Sequence, residues 1–423
     1  MEKTLVEKIL EEHSASNTAR PGQIVDLRVD RLLMNDYVGS TIFSAMEELG
    51  IQKVKEPEKV FIAIDHNIPA FTVDAADKYV LFHAKARAYG IEAVTNAGDN
   101  GIGHQMMMER YVHPLEIALG TDSHATMYGG VGAFACGITA ADALSVLATG
   151  KVWIKVPETI RIVVNGRLAP GVTAKDVSLR ILSLLTEKEC TYRALEIVGE
   201  AIDAMTVDSR LVLANMAAET GAKCAVFESD AKAYAFAGRE QGRRLRSDAG
   251  AHFVKTVEID ASTLTPLLAC PNAVTNVQPL ETQVGKHVDQ VFIGSCTNGR
   301  MEDLLQACEI LKGRHVAEGT RLLVTPASQR IAREAVKNGV MEILMDAGAL
   351  ILTSSCASCA GNGPGLIGAG ERCLSTTNRN FKGRMGSKTG EVYLGSAYAA
   401  AAAAVVGRIT DPRQFLREGG AAR

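Results

Sequence analysis

A chain of 423 residues is longer than one domain of ~100–200 residues accommodates, and at 47% hydrophobic and 22% charged it has a globular composition. Only 5% of residues are aromatic, with Trp153 the single tryptophan, while glycine occurs 39 times; an aromatic-rich β-sandwich is disfavoured and an α/β protein with many tight strand–helix turns is favoured. The 45 basic and 48 acidic side chains leave a net charge of −3, which offers no global field to nucleic acid or a membrane surface, and the basic run at 239–246 reads as a solvated face.

In chain order, residues 1–13 set Leu5, Ile9 and Leu10 among acids, the pattern of an amphipathic helix and not of a signal peptide. A first block, 1–157, alternates short apolar strands (60–64, 118–120) with helical stretches such as 73–89. A second, 158–283, opens on a strand that ends in the turn signal Asn165-Gly166, continues through helices near 174–186 and 209–220, and closes on a Pro-, Thr- and Asn-containing connecting segment at 261–283. The third, 284–423, brings a strand at 290–294, a helix near 302–312, and strands at 321–325 and 349–353. Its uncharged, alanine-rich run 392–407 falls short of the ~20 residues that span a bilayer and is expected to be a buried helix. The expected architecture is therefore α/β, three α/β domains with parallel-rich sheets and crossover helices, in a soluble cytoplasmic chain. Sites in such sheets form outside the carboxyl ends of the strands.

The motifs lie at those strand ends. Nine cysteines in a chain with no leader pattern are expected to be reduced, most of them small core hydrophobes. Cys296 follows one strand, and the pair Cys356-Ala-Ser-Cys359 follows another. Three such thiolates can share one metal centre; a redox pair or unrelated thiols are the alternatives, and a structural zinc would want a fourth ligand. Asp65-His66, His104 in a glycine-flanked turn, and Asp122-Ser123-His124 set imidazoles beside carboxylates, as general acid–base work requires. Gly363-Pro-Gly365-Leu-Ile-Gly368 has dinucleotide-fingerprint spacing, but the cysteine pair intervenes between it and the strand, so nucleotide binding is not expected. Arg379 and Arg384 are candidate carboxylate forks.

With these motifs in this order, together with Lys155-Val-Pro-Glu-Thr-Ile160, Asn215-Met-Ala-Ala-Glu219, Gly294-Ser-Cys-Thr-Asn298 and Ser375-Thr-Thr-Asn-Arg-Asn-Phe-Lys-Gly-Arg384, the chain resembles the aconitase superfamily almost end to end. Within it the sequence is most similar to large subunits of the two-subunit 3-isopropylmalate dehydratase and homoaconitase type. The resemblance implies three domains around one [4Fe–4S] cluster held by Cys296, Cys356 and Cys359, and a hydro-lyase acting on a small 2-hydroxy di- or tricarboxylate. It implies that Asp65 and His66 protonate the departing hydroxyl, that His104 pairs with Asp122 and His124 with Glu196, and that Ser123, Asn298, Arg379 and Arg384 bind substrate or organise the site. It further implies a separate small subunit, a swivelling domain with a Ser-Ser-Arg motif; no Ser-Ser-Arg occurs here, since Ser354-Ser355 runs directly into Cys356.

Ala125, Ser355, Asn35-Asp36 and Ala360-Gly361-Asn362 depart from the usual isopropylmalate-dehydratase residues. They leave homoaconitate, dimethylmalate, methylmalate and maleate-type hydration as alternative chemistries. A regulator that binds RNA when its cluster is lost is the reading from another class, and the near-neutral charge argues against it.

Overall fold

The structure, a computed structural model, describes residues 2–416. The chain divides into two compact units, one made of residues up to Asn165 with Thr186–Ile259, the other of Gly166–Leu185 with residues from Asp260 onward.

The first unit holds two sheets and a ribbon. Its five-stranded sheet has the order Ala93–Val94, Val60–Ala63, Arg31–Asn35, Ile117–Gly120, Phe134–Gly137, with every neighbouring pair parallel. Val60–Ala63 and Ile117–Gly120 are buried at every position, which is why they read as unbroken apolar runs instead of alternating ones. The crossover helix Val73–Tyr89 starts on Thr72, whose side chain accepts the Ala75 N–H, and stops at Gly90, where φ is 72°. A four-stranded sheet follows in the order Cys224–Val226, Ala194–Val198, Thr159–Asn165, Lys255–Asp260, the first three strands parallel. Strands Ile24–Arg28 and Lys151–Lys155 form an antiparallel ribbon. The amino-terminal helix is Leu5–His13, with Leu5, Val6, Ile9 and Leu10 buried.

The second unit is built on one seven-stranded sheet, ordered Val277–Pro279, Leu267–Ala269, Glu391–Leu394, Arg372–Ser375, Gln290–Ile293, Arg321–Val324, Leu350–Ile351. The last five are parallel; the first two are antiparallel additions at one edge. Those two come from the stretch expected to be a connector. The helix Ala174–Leu184 packs on them, and Asp176 Oδ1 accepts the Leu267 N–H at 2.8 Å. The two compact units cut the chain at other places than the expected blocks 1–157, 158–283 and 284–423. The alanine-rich run forms the buried helix Ala397–Val406. Among the described residues no helix is long and apolar enough to cross a membrane.

Candidate active site

In the first unit, three loops leave the carboxyl ends of three adjacent parallel strands, Val60–Ala63, Arg31–Asn35 and Ile117–Gly120. They carry Asp65-His66, Asp36 and Asp122-Ser123-His124. The His66 imidazole Nδ1 lies 2.8 Å from Asp65 Oδ1 and 2.9 Å from Asp36 Oδ1. Asp36 also accepts the His66 N–H at 3.3 Å, and the backbone and side-chain N–H groups of Asn67 at 3.1 and 3.0 Å. Asp65 Oδ2 accepts the Gly103 N–H at 2.7 Å. Gly103 has to be glycine, because a Cβ there would stand 2.6 Å from Ala63 Cβ. Two carboxylates on Nδ1 favour one tautomer, with Nδ1 protonated. Burial pushes the Asp36 carboxyl up, but the hydrogen bond and charge of His66 outweigh it, and Asp36 sits below the usual carboxylate range.

The second group is a hydrogen-bonded chain. Tyr128 Oη is 2.8 Å from His104 Nδ1, and His104 Nε2 is 2.9 Å from Asp122 Oδ1. The same oxygen lies 3.2 Å from His124 Nδ1 and accepts the His124 backbone N–H at 2.8 Å. His124 Nε2 is 2.7 Å from Glu219 Oε1. Both imidazoles and Glu219 have side chains no more than 6% exposed. Burial raises the Asp122 carboxyl, but its hydrogen bonds to His104 and His124 prevail and hold it well below the ordinary range. Burial lowers His124, yet the bonds to Asp122 and Glu219 carry it above the ordinary histidine value. Ser123 opens the short helix Ser123–Val131 between them.

The expected partnership of His124 with Glu196 is corrected here. Glu196 lies within the buried strand Ala194–Val198, and its Oε2 accepts the Ser247 hydroxyl at 2.6 Å and the Leu5 N–H at 3.4 Å. Glu219 reaches His124 because it stands on the turn Ala217–Thr220 after helix Val207–Met216, which packs along the helix carrying His124. Changing Glu219 to Gln is expected to move the His124 titration to lower pH, since one of its two raising partners is lost, and to cut turnover by ~10². Glu196→Gln should leave that titration in place. Histidine proton NMR against pH checks both, and a shift with Glu196→Gln but none with Glu219→Gln would reverse the assignment.

The second unit carries the thiols. Cys296 follows strand Gln290–Ile293, and Cys356 and Cys359 bracket a turn after Leu350–Ile351. Cys296 and Cys359 are buried and Cys356 is half-buried; all nine cysteines are free thiols. Ser295, before Cys296, and Ala357, after Cys356, have left-handed backbones with φ of 81° and 46°. Such non-glycine conformations cost roughly 1–3 kcal/mol each and collect at functional sites. One amide ties the two loops together: Asn378 Nδ2 is 3.5 Å from Cys296 Sγ, and the Cys359 thiol is 3.7 Å from Asn378 Oδ1. The other six cysteines differ in kind. Burial pushes all of their thiols up, Cys308 to about 11 and Cys373 to about 12, and keeps them inert.

Around the thiols the backbone is close-packed. A Cβ on Gly363 would meet Ala357 O at 2.4 Å, and one on Gly361 would meet Arg384 O at 2.9 Å. Buried Ser358 Oγ, Asn362 Oδ1 and Arg384 Nε have no hydrogen-bond partner. Soft sulfur donors after two strands of one sheet, with spare polar atoms beside them, fit an iron–sulfur group. Arg379 and Arg384 are half-buried on the loop after Arg372–Ser375. Asn298 Nδ2 donates to Asp303 Oδ1 at 2.7 Å and its Oδ1 accepts from the Lys175 ammonium at 3.4 Å, so much of its amide is spent on holding the Cys296 loop. Sequence reasoning did not single out Glu219, Asn378 or Lys175. Glu219 and Asn378 both stood inside motifs that carried the family resemblance; Lys175 gave no signal.

Residues 7–407 match the aconitase family (aconitate hydratase). The chain is 42% identical over 416 residues to the probable 3-isopropylmalate dehydratase large subunit of Methanothermobacter thermautotrophicus, covering 97% of this chain and 99% of that protein. It is 41% identical over 420 residues to 3-isopropylmalate dehydratase large subunit 1 of Methanopyrus kandleri and 42% over 423 to that of Thermotoga maritima, each covering 98% of this chain and 100% of the relative. A crystal structure of Thermococcus kodakaraensis aconitase X in its holo form shares the fold, with a TM-score of 0.50 at 12% identity over 84% of each chain.

Proposed function

The chain belongs to the aconitase family, and from that premise we propose that it is the large subunit of a 3-isopropylmalate dehydratase, a hydro-lyase that interconverts isopropylmalates by loss and return of water. The observation that carries the substrate is near-full-length identity of about 40% to several proteins bearing that name. Cys296, Cys356 and Cys359 would hold a [4Fe–4S] cluster, one per chain, which would supply Lewis-acid chemistry toward a substrate hydroxyl. The remaining work falls to side chains. His66, held through Nδ1 by Asp65 and Asp36, gives its Nε2 proton to the departing hydroxyl. The chain Tyr128–His104–Asp122–His124–Glu219 stores and returns protons, since Asp122 stays ionised between two imidazoles. Arg379 and Arg384 grip substrate carboxylates, and Ser123 and Asn298 orient them. The C–H proton goes to a small swivelling-domain subunit that brings Ser-Ser-Arg. A cytoplasmic location belongs to the same reading, because nine free thiols suit a reducing compartment.

The test pairs the anaerobically iron-loaded chain with the small subunit of one of these relatives and follows 2- and 3-isopropylmalate by NMR. Interconversion of the two is expected. Turnover of homoaconitate or dimethylmalate with none of isopropylmalate would overturn the substrate.

A further inference from the structure

Lys175 is the only buried lysine among the described residues, with no exposed surface at all. It lies in the first turn of helix Ala174–Leu184, where a lysine is ordinarily solvated. Its ammonium instead donates to Thr377 O at 2.6 Å, to Thr376 O at 2.9 Å and to Asn298 Oδ1 at 3.4 Å. Those acceptors belong to two different loops. Thr376 and Thr377 lead directly into Asn378, which touches the sulfurs of Cys296 and Cys359; Asn298 closes the Cys296 loop. Asn298 is steadied in turn by Asp303, whose Oδ2 accepts the Arg300 N–H, while the Arg300 guanidinium donates to Cys296 O at 2.8 Å and to Thr297 O.

Burying an ammonium is costly unless permanent negative charge faces it. Burial pushes the Lys175 ammonium down to about 7, and the buried Asp303 carboxylate is the foremost group that works against this. A bound iron–sulfur group would bring the negative charge of its thiolate ligands beside the ammonium. The cation is therefore matched to the loaded state.

We infer that Lys175 is a positioning residue for the thiol-bound group: it clasps the Cys296 loop to the Asn378 segment and sets a positive charge beside the segments that carry the thiols, which stabilises added negative charge on the group they hold. The inference rests on the iron–sulfur reading of Cys296, Cys356 and Cys359. A positive charge near such a group favours its reduced, more negative form, so reduction potential reports the charge, while a purely structural filler would leave it unmoved.

The experiment uses the full chain, reconstituted anaerobically with iron and sulfide, with potentials read near pH 6.5, where the ammonium and Asp303 both carry charge. Lys175→Gln keeps an amide donor and removes the charge; it should reduce at more negative potential and lose iron to a chelator ~10-fold faster, the scale of outer-shell losses around metals. Lys175→Arg should return the potential toward that of the unaltered chain. Asp303→Asn deletes a negative charge from the same network and should shift the potential in the positive direction, which decides the matter where Lys175→Gln is recovered unfolded. An unaltered chain that takes up no iron or sulfide removes the underlying reading and the inference with it. A loaded chain whose Gln and Asn variants match it in potential and iron retention overturns the inference alone.

Discussion

Without its small subunit, the iron-loaded chain should turn over isopropylmalate at ~10⁻⁴ or less of the rate reached by the pair. The proposed mechanism assigns the hydroxyl side to His66 with its two carboxylates and to the hydrogen-bonded chain from Tyr128 to Glu219. The C–H side is different. Removing a proton next to a carboxylate needs a base held within ~3 Å of that hydrogen, and a positioned base is worth ~10²–10⁴ in rate before the gain from orientation is added. The relay carboxylates are already committed to imidazoles, and no Ser-Ser-Arg occurs among the 423 residues. Steady-state rates for the isolated chain, then with increasing small subunit, test this, with activity expected to saturate at equal amounts. Full turnover by the homogeneous chain alone would show that it carries its own base.

Cys296→Ser, Cys356→Ser and Cys359→Ser should each lose oxygen-labile visible absorbance and fall to background activity. Cys308→Ser and Cys373→Ser should load iron normally. The contrast is one of environment. Cys308 and Cys373 are pushed up to about 11 and about 12 by apolar burial, so they remain thiols, and thiols are not ligands. Cys296 and Cys359 share the Asn378 amide, and Ser295 beside Cys296 and Ala357 beside Cys356 have left-handed backbones. A serine hydroxyl at these places is a harder, far less acidic donor and a poor match for iron–sulfur chemistry. Iron and acid-labile sulfide after anaerobic reconstitution give the answer, and undiminished loading in any of the three would strike that residue from the ligand set.

How much of this was legible in the sequence depended on chain distance and on periodicity. Buried parallel strands such as Val60–Ala63 announce themselves as apolar runs, and the chemistry-bearing loops follow them directly. His104 and Asp122, 18 residues apart, were paired correctly. The partner of His124 lies 95 residues away, and two buried glutamates, Glu196 and Glu219, competed for it. Which glutamate faces the imidazole is settled by helix packing, and no local pattern encodes that. The strands Leu267–Ala269 and Val277–Pro279 are three residues each, too short for alternation to show, so they passed for a connector. Lys175 looked like any solvated first-turn residue, because burial of a charge is decided by what closes over it.

The excursion of Gly166–Leu185 has a consequence for anyone dividing this chain. Neither compact unit is contiguous: the second borrows a helix from between two segments of the first. A fragment beginning at residue 260 would keep the seven strands and the three thiols yet lack Ala174–Leu184. Leu267 would then lose the carboxylate oxygen that accepts its N–H, and the carbonyls of Thr376 and Thr377 would lose their ammonium donor. During synthesis the same helix is made more than eighty residues before the strands it packs on, so its buried lysine and aspartate have their partners only once those strands exist. A cut placed by residue number would not release the thiol-bearing unit intact.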